Sequence, residues 1–307
     1  MTSTKTKFDA YEAVTATIIK ALEAGTVPWR KPWGASGTLP LSLSTKKAYR
    51  GINPLLLSLS ALEGGYTSPW WGTYKRISEM GGQVRKGEKS TMVTLWKRIK
   101  ITETDEVTGE KKPKIIFMLR VYSVFNAEQA DWAEGKEPVN PATSRTQHDP
   151  IEAAEAIVAG YPDAPRITRT ASDQAFYVPT TDEITVPEIG QYAHAEEFYS
   201  TLFHEMGHST GHPSRLDRPN ITSFSHFGDE KYSKEELCAE MTAAFLCAQA
   251  GIETTLDNSA AYLASWLRVL KADHKLIVQA AAQAQKAAEH VLGIAAYTEE
   301  EVSADAA

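Results

Sequence analysis

A chain of 307 residues, 42% of them hydrophobic, is about twice a common domain length and carries enough apolar material for two cores. No apolar run is long enough to span a bilayer, and residues 1–25 are charged and amphipathic, unlike a secretion signal, so the expectation is a soluble cytoplasmic protein with no membrane partner. The net charge of −7 hides a split, because residues 1–145 hold 22 basic and 14 acidic side chains (+8) and residues 146–307 hold 10 and 25 (−15).

In chain order, Phe8, Tyr11, Val14, Ile18 and Leu22 recur at spacings of three and four and predict a helix closed by Gly25. The loop TVPWRKPWG follows, then a second helix over 53–63. Runs rich in β-branched and aromatic residues over 91–101 and 114–125 predict a hairpin around a polar turn at 103–112. The first half is thus an α+β unit over 1–135. Residues 136–149, rich in Pro, Ser, Thr and charge, read as a linker.

The second half, 150–295, reads as mainly helical with a small sheet, giving an α+β protein of two domains. It opens with a helix over 150–159, followed by the strand-like runs QAFYVPT and EITVPE around Thr181-Asp182. EITVPE is expected to be an edge strand able to pair with an extended peptide. A helix from 194 carries HEMGH, another covers 233–250, and one long helix is expected over 259–292 with Tyr262, Trp266, Leu270, Ile277 and Ala281 inward. The acidic tail 296–307 reads as disordered. Cys238 and Cys247, nine apart on one helix, are too far apart to pair.

His204 and His208 stand one helical turn apart, so both imidazoles can reach one divalent ion, and Glu205 between them is placed as a catalytic base. His212 follows Gly211 directly, two residues too early for a third histidine of the metzincin type. The third ligand is therefore sought downstream, where Glu236 and Glu240 share one flank of SKEELCAEMTAAFL and Glu235 falls nearer solvent. Glu236 is assigned as ligand, with Glu240 holding a histidine ring by its other nitrogen or exchanging roles with it. Zinc is the expected ion; manganese and cobalt suit the same ligand types. The chemistry expected of such a centre is hydrolysis of a peptide bond. Two alternatives stand beside it: a vestigial metal site, and a free-standing peptidase whose first half selects protein substrates.

Six of seven tryptophans lie in the basic half, several beside cations, as in PWRKPW, SPWWGTYKR and LWKR. Aromatic faces interleaved with positive charge suit single-stranded DNA, whose bases stack and whose phosphates need neutralising. Trp29, Arg30, Lys31, Trp33, Arg50, Trp70, Trp71, Lys75, Arg76, Arg85, Lys86 and Lys89 are the candidate contacts.

These motifs carry a family likeness. IIKALEAGTVPWRKPW, YRGIN, GGQVRKGEK and VYSVFNAEQ resemble the single-stranded-DNA-binding domain of ArdC-type antirestriction proteins, shared with plasmid primases of the TraC type. DEITVPE, FYSTLFHEMGHSTGH and YSKEELCAEMTAAFL resemble the family's zincin-like domain. The resemblance implies a protein of plasmids and conjugation that binds single-stranded DNA without strong sequence preference and protects incoming DNA from host restriction. A host protein is the substrate such a metal centre would take.

Overall fold

The computed structural model describes residues 8–29, 39–104, 111–140, 150–219, 230–252 and 260–295. The centre of the predicted polar turn, residues 141–149 of the predicted linker and the acidic tail lie outside them.

Helix α1 (Ala10–Glu23) starts where the Asp9 carboxylate accepts the amides of Tyr11 and Glu12, and it buries the predicted stripe of Val14, Ile18 and Leu22. Helix α2 (Asn53–Gly64) begins with a proline in its first turn and ends at Gly65, whose φ of +68° is the left-handed conformation that favours glycine. Strands β1 (Leu41–Ser42), β2 (Trp70–Gly72), β4 (Thr91–Thr104) and β5 (Lys111–Asn126) form a sheet in the order β1-β2-β5-β4. Strands β4 and β5 pair antiparallel from Thr91 opposite Val124 to Thr104 opposite Lys111, so the predicted hairpin is one long ribbon. Between β2 and β4 in sequence, α3 (Tyr74–Glu79) leads to β3 (Gly82–Val84), which pairs with β6 (Ala130–Trp132).

The second half begins with α4 (Pro150–Gly160), then β7 (Arg166–Thr170), β8 (Phe176–Val178) and β9 (Glu183–Pro187). Helices α5 (Ala195–Ser209), α6 (Glu230–Ala250), α7 (Ala260–Ala272) and α8 (Leu276–Val291) complete it. Every residue from Leu237 to Cys247 on α6 is buried, which makes α6 the helix around which α4, α5 and α8 pack. Cys238 and Cys247 are both free thiols, and burial pushes them up to about 12. No helix among the described residues is long and apolar enough to cross a membrane.

Three sequence expectations change. EITVPE, strand β9, is central and not an edge, because the strand order is β7-β9-β8; the parallel strand β7 that covers it, RITRT, has no apolar alternation to announce it. The single final helix is two, α7 and α8. The break falls at Asp273–Lys275, where the Asp273 carboxylate accepts the Lys275 amide and the His274 carbonyl is taken by the Thr15 hydroxyl of α1 at 2.6 Å. Finally, the main apolar core crosses the expected linker: Val14, Ile18, Leu22, Ile52 and Leu55 belong to the same buried cluster as Phe203, Met241 and Ile277. The overall class is nonetheless α+β, with an N-terminal sheet and a C-terminal helical layer on three strands.

Candidate metal centre and nucleic-acid face

Helix α5 aims the two histidines of HEMGH at α6. The two helices approach closely at Gly207, where an added Cβ would lie 3.0 Å from the Ala239 Cα and 3.1 Å from its carbonyl oxygen. This approach brings Glu236 to both rings: its carboxylate oxygens lie 3.5 Å from His204 Nε2 and 3.3 Å from His208 Nε2, and the two Nε2 atoms are 3.1 Å apart. Donors held at about 2.0–2.1 Å around a tetrahedral ion stand about 3.3 Å from one another, so the trio has the spacing of a divalent-metal site. His204, His208 and Glu236 are the one such group among the described residues. His212 is not part of it; its Nδ1 meets the Ser214 hydroxyl at 2.7 Å.

Burial alone would lower the histidines and raise the glutamate. Hydrogen bonds to Glu235 and Glu236 outweigh it at His208, holding that ring up at about 10, and Glu236 is held well below the ordinary carboxylate range by His204 and His208. The protons this cluster binds so tightly are competitors of a metal for the same lone pairs.

The support behind His208 differs from the sequence expectation. Its far nitrogen, Nδ1, faces Glu235 at 3.3 Å, and Glu235 is nearly buried where the helical wheel puts it near solvent. Arg218, buried in the loop after α5, grips Glu235 through Nε at 3.1 Å and Nη2 at 2.5 Å and also donates to the Gly207 carbonyl at 2.8 Å. Gly211 leaves room for it, since a Cβ there would lie 3.0 Å from the guanidinium. Burial would raise the Glu235 carboxyl, yet bonds from His208 and Arg218 hold it lowered. An Nδ1–H donated to Glu235 leaves the Nε2 lone pair of His208 facing the ion position. Arg218 carries no motif signal in the sequence. The Glu235-Glu236 pair is ambiguous there because adjacent helical positions differ by only about 100°.

Glu240 has another partner. Trp29 is wholly buried and its Nε1 donates to Glu240 Oε2 at 2.8 Å, with the Trp266 ring edge-on at 6.0 Å. The first expected DNA contact is therefore a clamp between the N-terminal segment and the helix carrying Glu236. Glu205, on the same turn as His204, is also buried, and Tyr192 lies near enough to feel its charge.

Other expected DNA contacts are redistributed. Trp71 is buried against Tyr66, and Trp70 is buried with its Nε1 on the Val139 carbonyl at 3.0 Å and Lys46 over its ring at 4.7 Å. Arg50 pairs with Glu289 of α8, and Arg85 with Glu88 and Asp131. Lys75 and Arg76 each lie 3.7 Å from Glu79, while Lys86 and Lys89 are exposed. Arg30, Lys31 and Trp33 lie outside the described residues. The β4-β5 ribbon, absent from the expected contacts, carries Lys97, Arg98, Lys100, Lys111, Lys114 and Arg120, with Glu103, paired with Lys114, the carboxylate among the described residues; Asp105, Glu106 and Glu110 of the joining turn lie outside them. Ile115, Met118 and Phe117, the last 59% exposed, stand among these cations. The LWKR motif marks the ribbon at Trp96, but the cations beyond Arg98 have no tryptophan beside them.

Comparison with known proteins covers both halves. A model of the N-terminal domain of anti-restriction factor ArdC matches residues 8–125, and a zincin-like metallopeptidase model matches residues 152–283. The chain is 39% identical over 306 residues to a DNA primase TraC of Escherichia coli, aligned over 92% of this chain but 27% of the primase, so it spans about a quarter of that relative. It is 36% identical to protein y4eC of Sinorhizobium fredii (strain NBRC 101917 / NGR234), covering 93% of this chain and 92% of that one. The crystal structure of the antirestriction ArdC protein from plasmid R388, metal-free, superposes with a TM-score of 0.73 at 43% identity, covering 94% of this chain and all of that one. Its Mn(II)-bound form gives the same TM-score at 42% identity.

Proposed function

Because the chain belongs to the ArdC family of antirestriction proteins, we propose that it binds single-stranded DNA through its N-terminal half and protects incoming plasmid DNA from host restriction in the cytoplasm. The reading rests on the near full-length likeness to the R388 protein, supported by the cationic, partly apolar β4-β5 ribbon, which offers phosphates neutralising charge and bases a surface to lie on. His204, His208 and Glu236 hold one divalent ion, zinc by ligand type, with manganese supported by the Mn(II)-bound relative.

We propose further that this centre hydrolyses peptide bonds of a host protein. When bound, the metal supplies Lewis-acid polarisation of the carbonyl and acidifies water. Glu205 takes the proton of the attacking water at its carboxylate and returns it to the leaving amine as the C–N bond breaks. His208 is kept in orientation by Glu235 and Arg218. With β9 central, the strand that would take up an extended substrate is β8, the edge packed beside α5.

Conjugative transfer of an unmodified plasmid into restricting and non-restricting recipients, with and without this chain, tests the proposal. Protection confined to the restricting recipient is the expected result; equal transfer with and without the chain overturns it. Protection that survives Glu205→Gln would remove hydrolysis from the mechanism and leave DNA binding in place.

A further inference from the structure

Beside the sheet of the first half lies a cavity of about 250 Å³ whose walls come from both halves. Its lining includes three aromatic residues, Tyr49 and Tyr122, which pack in one apolar cluster, and Trp96, which the register of β4 and β5 puts on the other face of the ribbon. Helix α8 contributes Val278, Ala282, Gln285 and Lys286 to the lining. The seam is pinned: the Gly51 amide donates to Gln285 Oε1 at 3.3 Å, and Arg50 Nη2 donates to Glu289 Oε2 at 2.6 Å. The sheet wall is fixed as well, because the Asn53 amide group bonds both the N–H and the carbonyl of Thr94, at 2.7 and 2.8 Å. A pinned slot lined in part by aromatic residues, with Ser42, Ser44 and an exposed lysine also in its lining, suits a flat, uncharged heteroaromatic ring attached to an anionic strand.

We propose that this slot receives one unstacked nucleobase of bound single-stranded DNA, with Lys286 neutralising an adjacent phosphate, so that the second half completes the DNA site. This rests on the reading of the chain as a single-strand-binding protein. Bound DNA then bridges the ribbon-bearing sheet and α8, which itself packs on α6, the helix of Glu236.

The test titrates the full chain with a fluorescent oligothymidylate and with an abasic oligonucleotide of equal length and phosphate count. Wild type is expected to prefer the base-bearing strand, and Tyr122→Ala to weaken that strand about tenfold while leaving the abasic one within about twofold. Lys286→Ala, at an exposed position, should weaken both and flatten their salt dependence. Equal affinity of wild type for both strands, or a Tyr122→Ala effect that is nil or identical on both, overturns the slot while leaving DNA binding intact. Tighter binding of free thymidine monophosphate than of the oligonucleotide would also overturn it, marking a mononucleotide site. Failure of wild type to bind either strand removes the DNA reading itself.

Discussion

At His208, three residues from three segments meet: a histidine on α5, Glu235 on α6 and Arg218 from the loop between. The spacing of HEMGH makes the two histidines legible in the sequence, since a one-turn separation on a helix fixes a shared face. The carboxylates are less so, because their choice depends on the angle at which α6 crosses α5, which tertiary packing sets. Arg218→Ala would leave Glu235 buried with His208 as its remaining cationic partner and should destabilise the fold by about 1–3 kcal/mol; thermal melts measure this, and metal titration should show about 10–100-fold weaker uptake. Unchanged melting and metal affinity would show that Arg218 supports neither. Metal uptake near neutral pH should also release protons, because His208 is held at about 10 in the metal-free fold. A raised histidine stabilises that fold fully below its unfolded value and loses the contribution as pH rises through about 10; a metal reverses the preference. Uptake should therefore weaken as pH falls, and calorimetry in two buffers of different ionisation enthalpy reads the released protons.

Helices and the hairpin are legible as elements because their apolar periods are strong, as in Val14, Ile18 and Leu22. Strand β7 is not, and neither is the break between α7 and α8, because it is enforced by Thr15 and Asp273 and by no proline or glycine. Trp29 reads as a nucleic-acid residue in a basic loop and is instead held by Glu240; flanking charge says nothing about which way a ring points. The metal centre depends on the contact of α5 with α6. Gly207→Ala should force the helices apart, costing about 1–3 kcal/mol and separating Glu236 from the histidines. Weakened metal binding with a lowered melting temperature is expected; a variant that binds metal normally would show that the close approach does not position the ligands.

For the whole molecule, composition announces two functions through its charge split but not one shared core. Because α1 and α2 bury apolar side chains in the cluster that holds α5, α6 and α8, the intact chain should unfold in a single transition followed alike by tryptophan fluorescence and far-UV circular dichroism. Two separated transitions would restore independent halves. The proposed function turns on single-stranded DNA, so the most direct measurement is titration of the full chain with fluorescent single-stranded and duplex oligonucleotides at two salt concentrations, alongside a variant with Lys97, Lys100 and Lys114 changed to Gln. A DNA-binding ribbon predicts preference for the single strand, affinity that falls with salt by a slope of about 0.7 per phosphate neutralised, and a shallower slope in the variant. Absence of binding, or equal binding of duplex with no effect of the ribbon lysines, would contradict it.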